Sequence, residues 1–275
     1  MKWLLPLVAF LLFSSPAAAA AAFAPQRFTV EVVGTGPDVI LIPGLASSPA
    51  VWRASVAAVP GYRYHLVHVA GFAGSAARAN ARGEVVAPLA EEIARYIEAQ
   101  KLDRPAIVGH SMGGTLALML AARHPDRIGR AMAVDILPQP AGLIGASAGD
   151  MRGLTGALRS LGIEEQGRGL FLGAIRLFGG PSPGDARSDP DVVARSAQEL
   201  ALADLTPELR RIRAPLTIVY AAPLPSLARA VDRAFADAYA PARGARLVRI
   251  DGSGHMVMHD QPARFAEALK AFLAR

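Results

Sequence analysis

The chain contains no cysteine. That excludes disulfides, thiol nucleophiles, Cys-ligated metals and a lipid-modified cysteine anchor. Lysine is nearly missing, occurring only at positions 2, 101 and 270. The formal charge of +6 therefore rests on arginines scattered along the chain. No dense basic run with interleaved aromatics occurs, so nucleic acid is not an expected partner. The positive charge reads instead as a solvated basic surface with a mild attraction to anionic surfaces. No metal-ligand cluster and no phosphate-cradling glycine loop appears, and neither a metal nor a cofactor is expected. Charged residues make up only 19%, against 52% hydrophobic, which is the balance of a folded chain rather than a disordered one.

What is present begins with a leader-like stretch. Met1-Lys2 is followed by an apolar run over 3–13, a break at Ser14-Ser15-Pro16, and alanines over 17–22 that offer Ala-x-Ala cleavage sites. The run is short beside the ~20 residues of a spanning helix. We expect a signal peptide over 1–22 and an exported mature protein, periplasmic or extracellular, with no stable membrane anchor after cleavage. The alternative is an uncleaved anchor reaching about residue 24. Absence of cysteine does not oppose export, because a domain this long needs no disulfide staple.

The remaining chain is long enough for one large domain. Strand-like runs cover 27–33, 38–43, 64–70, 106–109, 131–137, 216–220 and 246–250. Helical patterns cover 84–100, with Val85, Leu89, Ile93 and Ile97 on one face, then 112–124, 191–203, 225–239 and 262–273. This alternation predicts a parallel sheet covered on both faces. It pauses over 138–205, a stretch rich in Gly, Pro, Ser and Ala that reads as a helical cap insertion. The core would then comprise 23–137 and 206–275.

Residues 109–114 read Gly-His-Ser-Met-Gly-Gly, between an apolar run and a helix-prone one. A bare Gly-x-Ser-x-Gly arises by chance ~0.1 times in a chain with 26 glycines and 14 serines, so the pattern alone is weak. In a strand–turn–helix setting it is the nucleophile elbow, with Ser111 at its apex. A serine hydroxyl needs a base to take its proton. Of six histidines, His255 lies in a loop between a strand and the last helix, where it can reach over the carboxyl end of the sheet. His259, a turn later, is its local rival. His65, His68 and His124 read as strand or helix-end residues, and His110 lies inside the elbow. A tetrahedral oxyanion needs two N–H donors. The candidates are the amide of Met112, at a helix N-terminus, and that of Leu45 in the Pro43-Gly44-Leu45-Ala46 loop.

On Leu41-Ile42-Pro43-Gly44-Leu45, Gly71-Phe72-Ala73-Gly74-Ser75, the elbow and Gly254-His255-Met256, the chain resembles the α/β-hydrolase family over essentially all its mature length. The resemblance implies an α/β fold: a mostly parallel eight-stranded sheet with helices on both faces and a cap after the sixth strand. It also implies the chain order serine, acid, histidine. Relatives usually carry the acid after the penultimate strand, but here that loop, Tyr220 to Ser226, holds no carboxylate. Asp135, one strand earlier, where some relatives place it, is the favoured replacement. Asp232, Asp251 or a serine–histidine dyad are the alternatives. The pocket is expected to be apolar, flanked by Leu45, Trp52, Phe72, Met112, Leu137 and Met256. Phe72 and Met256 are the substrate-binding candidates, with Met151, Leu154, Leu158 and Phe171 as a roof. The expected activity is cleavage of small-molecule carboxylic esters with an apolar moiety. Amide, lactone or carbon–carbon bond hydrolysis at the same site, or a decayed ligand-binding module, are the alternatives.

Overall fold

Apolar runs bracketed by glycine and proline turns become strands throughout the computed structural model, which describes residues 23–160 and 187–274. The leader-like stretch 1–22 and Phe171 lie outside those residues. The strands are β1 (Phe28–Val33), β2 (Asp38–Ile42), β3 (Arg63–Val69), β4 (Ala106–His110), β5 (Arg130–Val134), β6 (Leu216–Ala222) and β7 (Arg246–Asp251). They form one sheet in the order β1-β3-β2-β4-β5-β6-β7. β1 runs antiparallel to β3 and every other pair is parallel. The described residues thus make a seven-stranded sheet, where the resemblance implied eight. The reason is local: ahead of β2 the described chain has one strand-patterned run, which supplies a single antiparallel edge.

Alternate strand residues point to opposite faces. Ile40, Ile42, Ile107, Ala133 and Ile218 pack one core with α2 (Val86–Ala99), α3 (Met112–Arg123), α5 (Pro190–Leu202) and α6 (Ala228–Tyr239). Val39, Leu41, Val108, Met132 and Val219 pack the other, against Trp52 just ahead of α1 (Arg53–Ala58) and Phe265 and Leu269 of α8 (Pro262–Leu273). Burying each of the larger side chains is worth ~1.5–3 kcal/mol. Trp52, expected beside the pocket, is instead fully buried in this second layer, its ring 6.0 Å from that of Phe265.

The segment between β5 and β6 carries α4 (Ala148–Ser160) and α5. α5 is bonded to the body. Glu199 accepts from the amides of Val85 (2.9 Å) and Val86 (2.7 Å) at the start of α2, and burial pushes its carboxyl up. Arg195 donates to the carbonyls of Asn80 (2.6 Å) and Ala81 (3.0 Å). On α4, Met151 is buried with Ala141 and Ala201 while Leu154 is exposed. The side chain of Leu158 lies outside the described set.

Candidate functional site

β4, buried along its whole length, ends at His110, and α3 starts two residues later. Between them Ser111 is forced to φ 53° and ψ −119°, in the left-handed half of the map. Such a conformation costs ~1–3 kcal/mol and persists only where its surroundings over-determine it. Here they do. The Ser111 amide donates to the Val134 carbonyl (2.9 Å), and its carbonyl accepts from Thr115 (3.0 Å). A Cβ on Gly109 would overlap the Gly113 carbonyl, and one on Gly113 would overlap the Ile42 carbonyl. Only glycine lets the helix start press against both strand ends. Ser111 itself stays partly exposed.

The run 131–137 was expected to be one strand. It stops at Val134, because Asp135 also turns left-handed (φ 50°). The residue is held there by β6. Its amide donates to the Val219 carbonyl (2.7 Å), and its Oδ1 accepts from the Ala221 amide (2.9 Å). The other oxygen, Oδ2, lies 2.7 Å from His255 Nδ1. The carboxylate and the imidazole are mostly buried, with side-chain exposures of 11% and 15%. Nearby, Tyr239 donates to the Ile136 carbonyl (2.7 Å), and burial followed by the Asp135 charge raises its phenol far above the ordinary range.

The two other candidate acids are engaged elsewhere. Asp232 accepts from Tyr220 (2.9 Å) and pairs with Arg249 (2.6 Å), which also pairs with Asp251 (2.7 Å). Burial, then the Asp232 contact, pushes the Tyr220 phenol up to about 12. His259 is exposed on α7 (Val257–Asp260), and His65, His68 and His124 bond to Asp38, the Phe72 carbonyl and Glu91.

The loop after β2 lies against the elbow. A Cβ on Gly44 would be 3.2 Å from Ser111 Cβ, so Leu45 follows directly after that contact. Neither the Leu45 nor the Met112 amide has a hydrogen-bond partner among the described residues. Phe72 is fully buried in the core on the α2 and α3 side and offers no surface to a ligand, because its loop folds back onto β3. Met256 is half-buried over the opposite layer. Met112 is fully buried and Leu137 nearly so, while Leu45 is partly exposed. Two contributors went unread in the sequence. The Ala221 amide carries no side-chain signal. His110, whose Nε2 meets the His255 carbonyl at 2.8 Å, sits inside the motif but shows no partner along the chain. No group of side chains suited to hold a metal occurs among the described residues.

A family model described as the alpha/beta hydrolase family matches residues 39–268. A pimeloyl-[acyl-carrier protein] methyl ester esterase from Aeromonas hydrophila is 38% identical over 104 residues, which is 36% of this chain and 38% of that protein. The matched part therefore spans well under half of that relative. The corresponding esterase of Vibrio cholerae is 29% identical over 212 residues, 69% of this chain and 77% of its own. Among solved structures, an esterase from Exiguobacterium antarcticum superposes with TM-score 0.69 at 20% identity, covering 91% of this chain and 98% of that one. An enol-lactonase from Burkholderia xenovorans gives 0.62 at 22%, covering 90% and 96%. With the family model spanning most of its length and the same fold in these structures, the chain belongs to the alpha/beta hydrolase family.

Proposed function

We propose that the chain is a serine hydrolase that cleaves small-molecule carboxylic esters bearing an apolar acyl or alcohol part. Ser111 Oγ attacks the ester carbonyl carbon while His255 Nε2 takes its proton. Asp135 holds His255 in the Nδ1–H tautomer and stabilises the imidazolium that forms. The amides of Leu45 and Met112 donate to the oxyanion. The tetrahedral intermediate expels the alkoxide, which leaves with the proton from His255. Water, deprotonated by His255, then attacks the acyl-serine, and the carboxylic acid departs as Ser111 regains its proton.

The observation that carries this reading is the 2.7 Å contact between His255 Nδ1 and Asp135 Oδ2 beside a strained serine at a strand–helix elbow. The esterase names of the matched relatives agree with it. Short p-nitrophenyl esters should be hydrolysed, and Ser111→Ala should remove the activity. A fluorophosphonate probe should label Ser111 in the wild type; an unlabelled, inactive protein would support a decayed ligand-binding module instead. Export belongs to the same reading and rests on the leader-like stretch 1–22. Amino-terminal sequencing of material secreted by a bacterial host should find cleavage in the alanine tract, and an intact Met1 would overturn it.

A further inference from the structure

We propose that His110 is a positioning residue that fixes His255 to the elbow, a role that rests on the serine-hydrolase reading of the site. His110 is the last residue of β4 and the covalent neighbour of Ser111. Its side chain is buried, 2% exposed, and its ring centroid lies 4.6 Å from that of His255 at a tilt of 49°. Its Nε2 lies 2.8 Å from the backbone carbonyl oxygen of His255. A carbonyl can only accept, so Nε2 carries the proton and donates.

The other nitrogen tells the same story. Nδ1 is buried without a partner, and a Cβ on Gly44 would be 2.9 Å from it. A proton there would face the loop after β2 with nothing to accept it. Burial, then the nearby His255, holds His110 well below the ordinary histidine range, so the ring is neutral. One strand end therefore carries the nucleophile on one residue and a fixed, uncharged donor on the residue before it.

That donor supplies something Asp135 cannot. The contact of Asp135 with Nδ1 fixes one edge of the His255 ring but does not touch the main chain of residue 255; its neighbours are tied through the Gly254 amide to Asp260 and the Gly252 amide to Ala222. The His110 bond holds the backbone of the same residue. Two anchors, one on the ring and one on the main chain, define the direction of Nε2 relative to Ser111. A displacement of about 1 Å at a reacting group can cost about 100-fold in rate.

The test compares His110→Phe, which fills the space without a donor, with His110→Gln, whose amide reaches a similar distance and donates. On p-nitrophenyl butyrate the Phe variant should lose about 10–100-fold in kcat with KM little changed, and the Gln variant should recover most of the loss. Proton NMR gives a readout independent of turnover: the hydrogen-bonded Nδ1–H of His255 should be resolved in wild type and Gln, and broadened or shifted in Phe. Equal kcat in Phe and wild type, or Gln as impaired as Phe, would overturn the role. If Phe fails to fold, nitrogen-15 shifts of wild-type His110 decide: a neutral Nε2–H tautomer near pH 6 supports the proposal, and an Nδ1–H tautomer or an imidazolium overturns it. A wild type that shows the His255 and His110 signatures yet no esterase activity would fault the hydrolase reading and leave the positioning geometry standing.

Discussion

Two aspartate–histidine pairs sit at opposite ends of the same parallel sheet. At the amino ends of the strands, Asp38 Oδ1 lies 2.9 Å from His65 Nε2. At the carboxyl ends, Asp135 Oδ2 lies 2.7 Å from His255 Nδ1. The first pair is closed. Both Asp38 oxygens accept from Arg63, at 2.5 and 2.9 Å, and the second ring nitrogen of His65 meets the Tyr96 hydroxyl at 2.8 Å. The second pair is open. Its carboxylate is met by a backbone amide rather than a cation, and among the described residues His255 bonds through Nδ1 and through its main-chain carbonyl, which accepts from His110, not through Nε2. An Asp–His pair is thus not a site by itself. What occupies the second nitrogen, and whether a strained serine stands near it, separates a structural clamp from a candidate catalytic pair.

The sharpest way to break this distinction is a matched pair of substitutions. Asp135→Asn should reduce kcat by about 10⁴ on p-nitrophenyl esters, because the imidazole loses its orienting partner and its stabilising charge. Asp38→Asn should leave kcat unchanged. Equal losses in steady-state assays would erase the contrast. Asp38→Asn should instead show in stability, costing about 0.5–1.5 kcal/mol in urea unfolding at neutral pH, the range for a partly buried carboxylate whose Arg63 partner is largely solvated.

The pH dependence of that cost follows from its sign. The Arg63 hydrogen bond, against the opposing effect of burial, holds the Asp38 carboxyl below the ordinary carboxylate range. A carboxyl lowered in the fold contributes stability that is complete above its unfolded value and lost as pH falls through the lowered one. The gap between wild type and Asp38→Asn should therefore close on acidification, and a gap that stays constant would contradict the assignment. His110 gives a smaller effect of its own. Its protonation is disfavoured in the fold, so below the ordinary histidine value of 6.5 the unfolded chain binds the extra proton. Wild-type stability should fall there by up to about 1.4 kcal/mol per pH unit more steeply than in His110→Phe. Smallest of all, Asp232→Asn and Asp251→Asn should leave kcat unchanged, and Asp251→Asn should shift stability within about 0.5 kcal/mol, since its Arg249 contact is solvated. A large loss of kcat in either would return the acid role to the usual loop.

Local patterns carried much of this. The elbow was legible because its chemistry is contiguous: a buried strand, glycines either side of Ser111, then a helix. The strand runs were legible because a sheet covered on both faces demands continuous apolar stretches. The overshoot of the fifth run has the same cause in reverse. Ile136 and Leu137 continue the apolar pattern, and nothing in composition announces that Asp135 leaves the strand with a positive φ. Trp52 and Phe72 were placed at the pocket by closeness in sequence to the motifs, whereas face alternation and loop folding send both into the cores.

The sequence by itself determined the strand–helix alternation, the nucleophile candidate and the histidine loop, because each is written in residues adjacent along the chain. Which carboxylate meets His255 was decided only in three dimensions. Asp135 and Asp251 lie at strand ends and Asp232 on α6, and the parallel order β4-β5-β6-β7 alone brings the first under the imidazole while Arg249 draws off the other two. The second anchor of His255, through His110, was decided there too, since it joins residues 145 positions apart through one partly buried hydrogen bond.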